Sequence, residues 1–138
     1  MPNDDSDPSQ RRPIEILLVD DHPHVRQALR ELIATHEDLT IVAEAANGEQ
    51  AVLLAAKFKP AVVIIDVHLP VLNGVPATTL IKMNNPFTVA IGLTAGDPSE
   101  DAKAMTIAGA TTVLSKDQVW QALYPAILKG VQRVQNPV

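Results

Sequence analysis

A chain of 138 residues, 46% hydrophobic but only 3% aromatic, has room for one core, and that core must be built from Val, Ile, Leu and Ala. A net charge of −5 offers no basic surface to follow a phosphate backbone, and the absence of cysteine removes disulfides, thiolate metal sites and thiol nucleophiles together. With no signal peptide and no apolar run long enough to cross a bilayer, the expectation is a cytoplasmic protein that neither enters a membrane nor binds nucleic acid directly.

Residues 1–13 carry no apolar run and read as a disordered tail; the folded domain is expected over 14–134, with 135–138 a second tail. Ile14 to Val19 is a first strand, and it ends on the acids Asp20-Asp21. Pro23 suits a first helical turn, and Val25, Leu29, Leu32 and Ile33 recur at helical spacing up to about His36. Leu39 to Ala43 is a second strand. Asn47 caps a second helix whose inner stripe is Ala51, Leu54, Ala55 and Phe58, closed by Pro60.

Ala61-Val62-Val63-Ile64-Ile65-Asp66 is an unbroken apolar run ending on a carboxylate, which is how a strand buried on both faces of a parallel sheet reads. A shaped loop follows with Pro70 and Asn73-Gly74, then a short helix opened by Pro76 and carried through Leu80 and Met83. Phe87 to Leu93 is the fourth strand, ending on Thr94. Asp97-Pro98-Ser99-Glu100 supplies a cap, a proline at the first helical position and an acid three residues on; Gly109 stops that helix. Thr111 to Leu114 is the fifth strand, with Lys116 two residues later. Trp120, Leu123, Ile127, Val131 and Val134 then mark a last amphipathic helix. Its outer side, with Gln121, Tyr124 and Gln132, is a candidate partner surface. Pro125 cannot donate a backbone hydrogen bond, so that helix is expected to begin near Trp120 or to kink at the proline.

Five strands alternating with five helices imply a doubly wound α/β fold with a parallel sheet in the order 2-1-3-4-5, the flavodoxin-like order. Its ligand crevice lies at the carboxyl ends of strands one and three. Four strand ends then deliver Asp20-Asp21, Asp66, Thr94 and Lys116 to one rim. Singly each has a bland reading, as a helix cap, a loop hydroxyl or a solvated lysine. Three carboxylates together repel one another unless a hard cation neutralises them, and an all-oxygen set suits Mg2+. A carboxylate beside such an ion can attack phosphorus and form an acyl phosphate, while the Lys116 ammonium and the Thr94 hydroxyl meet the phosphoryl oxygens.

In this order and spacing the residues resemble the receiver domain of two-component response regulators. The motifs are Ile16-Leu17-Leu18-Val19-Asp20-Asp21-His22-Pro23, Val42 to Gly48, Val63-Ile64-Ile65-Asp66, Leu69-Pro70 with Gly74, Leu93-Thr94-Ala95, and Gly109-Ala110 leading to Ser115-Lys116-Asp117. The Asp-Asp-His-Pro start and the Lys-Asp ending are most similar to the NarL/FixJ-type subfamily. The resemblance implies that Asp66 accepts a phosphoryl group from a histidine kinase or phosphotransfer protein. It also implies that Asp20, Asp21, Asp66 and the backbone carbonyl of His68 hold Mg2+, with Asp21 a more direct ligand than Asp20. Thr94 would swing to the phosphoryl group and Lys116 would pair with it. The output would run through the fourth helix, fifth strand and fifth helix to a downstream partner or a covalently linked effector domain, with a homodimer possible.

Two features depart from the resemblance. Val113 stands where most relatives carry Tyr or Phe, three residues before the lysine, so the aromatic rotamer switch has no side chain to use. His68, two residues after Asp66, either shapes the path of a hydrolytic water or points to solvent. His22 and His24 raise the alternative of a transition-metal site, against the simpler reading of a helix start beside a solvent-facing imidazole. A Mg2+-dependent aspartyl-phosphate phosphohydrolase is the competing enzyme class, but such enzymes usually place Asp-x-Asp after the first strand, and here the first-strand acids are adjacent. The chain is therefore expected to be no enzyme beyond self-phosphorylation and autodephosphorylation at Asp66. It is read either as a stand-alone receiver or as the receiver part of a truncated DNA-binding transcription regulator.

Overall fold

The computed structural model describes residues 12–136, so the expected tails lie mostly outside the described residues. In chain order the elements are β1 Ile14–Val19, α1 Pro23–Ala34, β2 Leu39–Ala45, α2 Gly48–Phe58, β3 Val62–Asp66, α3 Gly74–Asn84, β4 Val89–Thr94, α4 Pro98–Ala108, β5 Ala110–Ser115 and α5 Val119–Gln135. The strands form one sheet in the order β2-β1-β3-β4-β5, parallel throughout. This is the order expected from the alternation of strand and helix.

Side chains alternate faces along a strand, and the two cores follow that alternation. Leu17, Val19, Val63 and Ile65 pack on one face against Ala51, Ala55, Ala77, Ile81 and Met105 of α2, α3 and α4. Ile16, Leu18, Val62 and Ile64 pack on the other against Leu29, Ile33, Leu123 and Ile127 of α1 and α5. All five residues of β3 are buried, as a central parallel strand requires. Each fully buried Leu or Ile contributes about 1.5–3 kcal/mol, so these two layers hold the sheet.

The helices depart from the sequence reading where large apolar residues face outward. In α2, Ala51 and Ala55 are buried, but Phe58 at the last turn is 38% exposed. Helix α3 starts earlier than Pro76: Asn73 caps it, its side chain accepting from the Val75 N–H, and Pro76 falls inside the first turn. Its buried residues are Gly74, Ala77, Thr78 and Ile81, while Leu80 and Met83 turn away. Small residues let α3 lie close to the sheet, and the larger ones are left on the outside.

Helix α5 begins at Val119, within a residue of expectation, and continues through Pro125. Pro125 and Gln121, four residues apart, are both exposed, so the carbonyl deprived of its N–H partner lies on the side where water can replace it. The buried residues are Val119, Leu123, Ile127 and Gly130, with Trp120 on the outer side and 56% exposed. Gly130 sets that rotation: a Cβ there would stand 2.6 Å from Val89 Cγ1, so the helix sits on β4 through its glycine. Tyr124 is not a free outer residue. It stacks on His36 at 3.7 Å and donates a 2.6 Å hydrogen bond to Asp38, clasping α5 to the turn after α1.

Candidate functional site

Parallel register carries the acids together. Val19 is level with Ile65, so the next residue of each chain, Asp20 and Asp66, leaves the sheet side by side. Asp66 is level with Leu93 and Thr94 with Ser115, which brings Thr94 and then Lys116 to the same rim. Two backbone bonds across the strand ends tighten it, Val67 N–H to the Leu93 carbonyl and Lys116 N–H to the Thr94 carbonyl, both 2.8 Å. All of the expected side chains, Asp20, Asp21, Asp66, Thr94 and Lys116, therefore lie at the carboxyl end of the sheet.

Asp66 is 3% exposed and Asp20 fully buried. The Lys116 ammonium stands 2.8 Å from Asp66 Oδ2 and 2.9 Å from Asp20 Oδ2, joining the two acids. Only the Asp66 contact has the direction of a hydrogen bond; Asp20 Oδ2 and Asp21 Oδ1 are buried oxygens without a donor. The remaining oxygens are held from the backbone. The His68 N–H donates to Asp66 Oδ1 at 2.9 Å, and the His22 N–H to Asp20 Oδ1 at 2.8 Å. Arg26 of α1 donates to the Asp20 carbonyl at 2.7 Å, fixing the turn that carries both first-strand acids.

Burial pushes the Asp66 carboxyl above the ordinary carboxylate range, outweighing the bonds from Lys116 and the His68 N–H; the nearby Asp20 charge adds to the rise. Burial alone would lower Lys116, but its hydrogen bond to Asp66 and the negative charge of Asp66 and Asp20 close to it overturn that and hold the ammonium above its usual value. The site thus keeps a permanent cation against carboxylates that are costly to ionise together.

One oxygen of each of Asp20, Asp21 and Asp66, with a ring nitrogen of His22, lies within 4.8 Å of the others. The donors of the three acids are oxygen, and two of these oxygens lack a hydrogen-bond donor, so the set fits a hard divalent cation. His22 stands closer to this cluster than a helix-start reading implies, its Nδ1 3.2 Å from an oxygen of each of Asp20 and Asp21. His24 lines a shallow groove with Val25, Leu29, Lys116 and Trp120.

Two participants carry no separate signal in the sequence. Asp101 of α4 accepts from the Thr94 hydroxyl at 2.9 Å and, on the same Oδ2, faces His68 Nε2 at 3.2 Å. An acid in the first turn of a helix is ordinarily explained by the helix dipole, which hides it. Arg26 looks like one of many surface cations until the turn closes over it. His68 does more than point to solvent, although its side chain is 65% exposed.

A larger cavity, about 540 Å³, lies at the other end of the sheet among Pro60, Asn85, Phe87, Val89 and Val134, away from every charged group just described. Among the described residues no helix is long and apolar enough to cross a membrane.

Residues 16–128 match the family model for the response regulator receiver domain. The nitrate/nitrite response regulator protein NarL of Escherichia coli K12 is 31% identical over 119 residues, covering 86% of this chain and 55% of NarL. The chain spans about half the length of such curated relatives. A LuxR-family two-component response regulator from Aurantimonas sp. SI85-9A1 superposes with a TM-score of 0.76 at 30% identity, covering 85% of this chain and 86% of that one. A chain of the CheX-CheY-BeF3-Mg2+ complex from Borrelia burgdorferi superposes with a TM-score of 0.74 at 23% identity, covering 83% and 89%, a likeness of fold.

Proposed function

The chain belongs to the response regulator receiver domain family, and from that premise we propose that it is a phosphorylation-dependent signalling switch whose phosphoacceptor is Asp66. One observation carries the proposal: a buried carboxylate at a strand end, paired with Lys116 at 2.8 Å and flanked by acids with two buried oxygens that receive no hydrogen bond. Structural acids are normally satisfied by donors. Here three acids converge with two buried oxygens that receive no hydrogen bond, an arrangement that costs stability and makes sense as a reaction site.

The phosphoryl donor is a phosphohistidine of a kinase or phosphotransfer protein. A carboxylate oxygen of Asp66 forms a bond to phosphorus as the phosphorus–nitrogen bond breaks, and the electron pair leaves with the imidazole nitrogen, which is then free to take a proton. Lys116, already bonded to Asp66, pairs with an oxygen of the transferred group, and the Thr94 hydroxyl donates to another. Asp20, Asp21 and Asp66, with the backbone carbonyl of His68, would hold Mg2+, which when bound supplies positive charge to the phosphoryl oxygens and relieves the repulsion among the acids. His68 N–H keeps Asp66 oriented throughout. Hydrolysis of the acyl phosphate returns the site to its starting state, so autodephosphorylation is the only turnover assigned to it. The phosphohydrolase alternative lacks a second acid poised for a leaving group: Asp20 is tied to Lys116 and to backbone N–H.

The receiver unit is assigned to 14–134, and the output to the face of α4, β5 and α5, reaching a separate partner or a linked DNA-binding effector domain. The test is intact mass after incubation with Mg2+ and a small-molecule phosphodonor. One added phosphoryl group is expected in the parent, and none in Asp66→Asn or in excess chelator. No addition to a folded parent would overturn the assignment.

A further inference from the structure

Thr94 is the one group of the rim whose working atom is engaged elsewhere. A hydroxyl has a single proton, and Thr94 donates it to Asp101 Oδ2 at 2.9 Å while accepting from the Gly96 N–H at 3.3 Å. Asp101 is carried by the first turn of α4, where the helix N-terminus stabilises its charge. Its side chain is 19% exposed, and the same Oδ2 lies 3.2 Å from His68 Nε2. One carboxylate oxygen thus joins three elements: β4 through Thr94, the loop after β3 through His68, and α4 through itself.

We propose that Asp101 is a positioning residue that holds the Thr94 hydroxyl on α4, and that its release is the step by which a phosphoryl group on Asp66 reaches that helix. The inference rests on the phosphoacceptor reading of Asp66. A phosphoryl oxygen and Asp101 Oδ2 compete for the same proton, so one bond forms only as the other breaks. The exchange is not costly for Asp101, because His68 remains beside the oxygen Thr94 leaves. What changes is mechanical: β4 loses its side-chain tie to the first turn of α4. Val113, the β5 residue nearest in role, is buried with Met105 of α4 in one core cluster and has no polar atom to take part. The Thr94 hydrogen bond is therefore a polar tie from β4 to α4, beside the His68 contact that reaches the same Asp101 oxygen from the loop after β3.

The test measures beryllofluoride binding in the presence of Mg2+, counted by fluorine NMR, in the parent, Asp101→Ala, Asp101→Asn, Thr94→Val and the double variant Asp101→Ala/Thr94→Val. A hydrogen bond to a charged acceptor corresponds to about tenfold in an equilibrium constant. Asp101→Ala should therefore bind the phosphoryl mimic about tenfold more tightly than the parent. Asp101→Asn, which keeps a neutral acceptor, should fall between them. In the Thr94→Val background the Asp101 substitution should have no effect, a dependence that a merely structural role would not produce. Hydrogen exchange in the first turn of α4 should rise in unliganded Asp101→Ala to the level the parent reaches only with beryllofluoride. Unchanged binding in Asp101→Ala, or the same gain with and without Thr94, overturns the role of Asp101 alone. Absence of Asp66-dependent beryllofluoride binding in the parent overturns the phosphoacceptor reading and this inference with it.

Discussion

At the scale of single residues, the site is a set of charges kept together at a cost, and Asp66 shows it most directly. Its carboxyl is held above the ordinary range because burial penalises the ionised form more than Lys116 and the His68 N–H favour it. The folded protein therefore keeps this proton to a higher pH than the unfolded chain, whose aspartates titrate near about 3.9. Stability from this group is fully present below that unfolded value. It declines as pH rises through the raised folded value, and is constant above it. Asp66→Asn has nothing to ionise, yet its amide oxygen can still accept from Lys116. In chelator, the variant should unfold at the same urea concentration as the parent at the acid end and at a higher one near neutrality, with the gap opening through the raised pKa. A gap that instead closes as pH rises would show that Lys116 outweighs burial.

At the scale of elements, the site depends on how closely loops approach strand ends. A Cβ on Gly74 would lie 2.3 Å from the Asp66 carbonyl oxygen and 2.8 Å from Val67 Cα, both backbone atoms that cannot swing aside. Gly96, in the loop after Thr94, would meet nothing within 4 Å. Gly74→Ala is thus expected to destabilise by about 2–3 kcal/mol, the upper part of the overpacking range, and to slow phosphorylation by displacing the end of β3. Gly96→Ala should stay within about 0.5 kcal/mol, as surface substitutions do. Urea unfolding and initial rates of mass gain compare the two. The same elements mark how much the sequence discloses. The central strands β3 and β4 were legible because a strand buried on both faces leaves no choice of face, and Asp66 and Thr94 were legible because they end those strands. Helix faces were less so: Trp120 and Met83 look like core by size, whereas Gly130 and Ala77 gain the closer approach to the sheet. Asp101 was illegible because its partner Thr94 is brought to it by the turn at Gly96, and spacing along the chain does not encode that turn.

At the scale of the whole molecule, the sheet order explains why the acids meet at all. The crossover leaving β1 runs one way along the sheet, to β2, and the crossover leaving β3 runs the other way, to β4, so the loops after β1 and β3 part and leave a crevice between them. Asp20-Asp21 and Asp66 line that crevice in a chain already carrying a net charge of −5. A cation that binds only where these carboxylates converge binds the folded state alone and must stabilise it. At a hundredfold excess over its dissociation constant the gain is about 2.7 kcal/mol, which for a domain of this size corresponds to a Tm increase of about 5–10 °C. General screening of acidic repulsion would also raise Tm, and two controls separate the effects. NaCl at matched ionic strength should reproduce only a small part of the Mg2+ shift, because a buried cluster is poorly screened by bulk ions. Asp21→Asn should abolish the rest. Asp21 is the informative position because its side chain is 31% exposed, whereas fully buried Asp20 also anchors Lys116 and the turn before α1. If Asp21→Asn keeps the full Mg2+ shift by differential scanning fluorimetry, the ion is held elsewhere, and the convergence of the three carboxylates has to be explained by Lys116 alone.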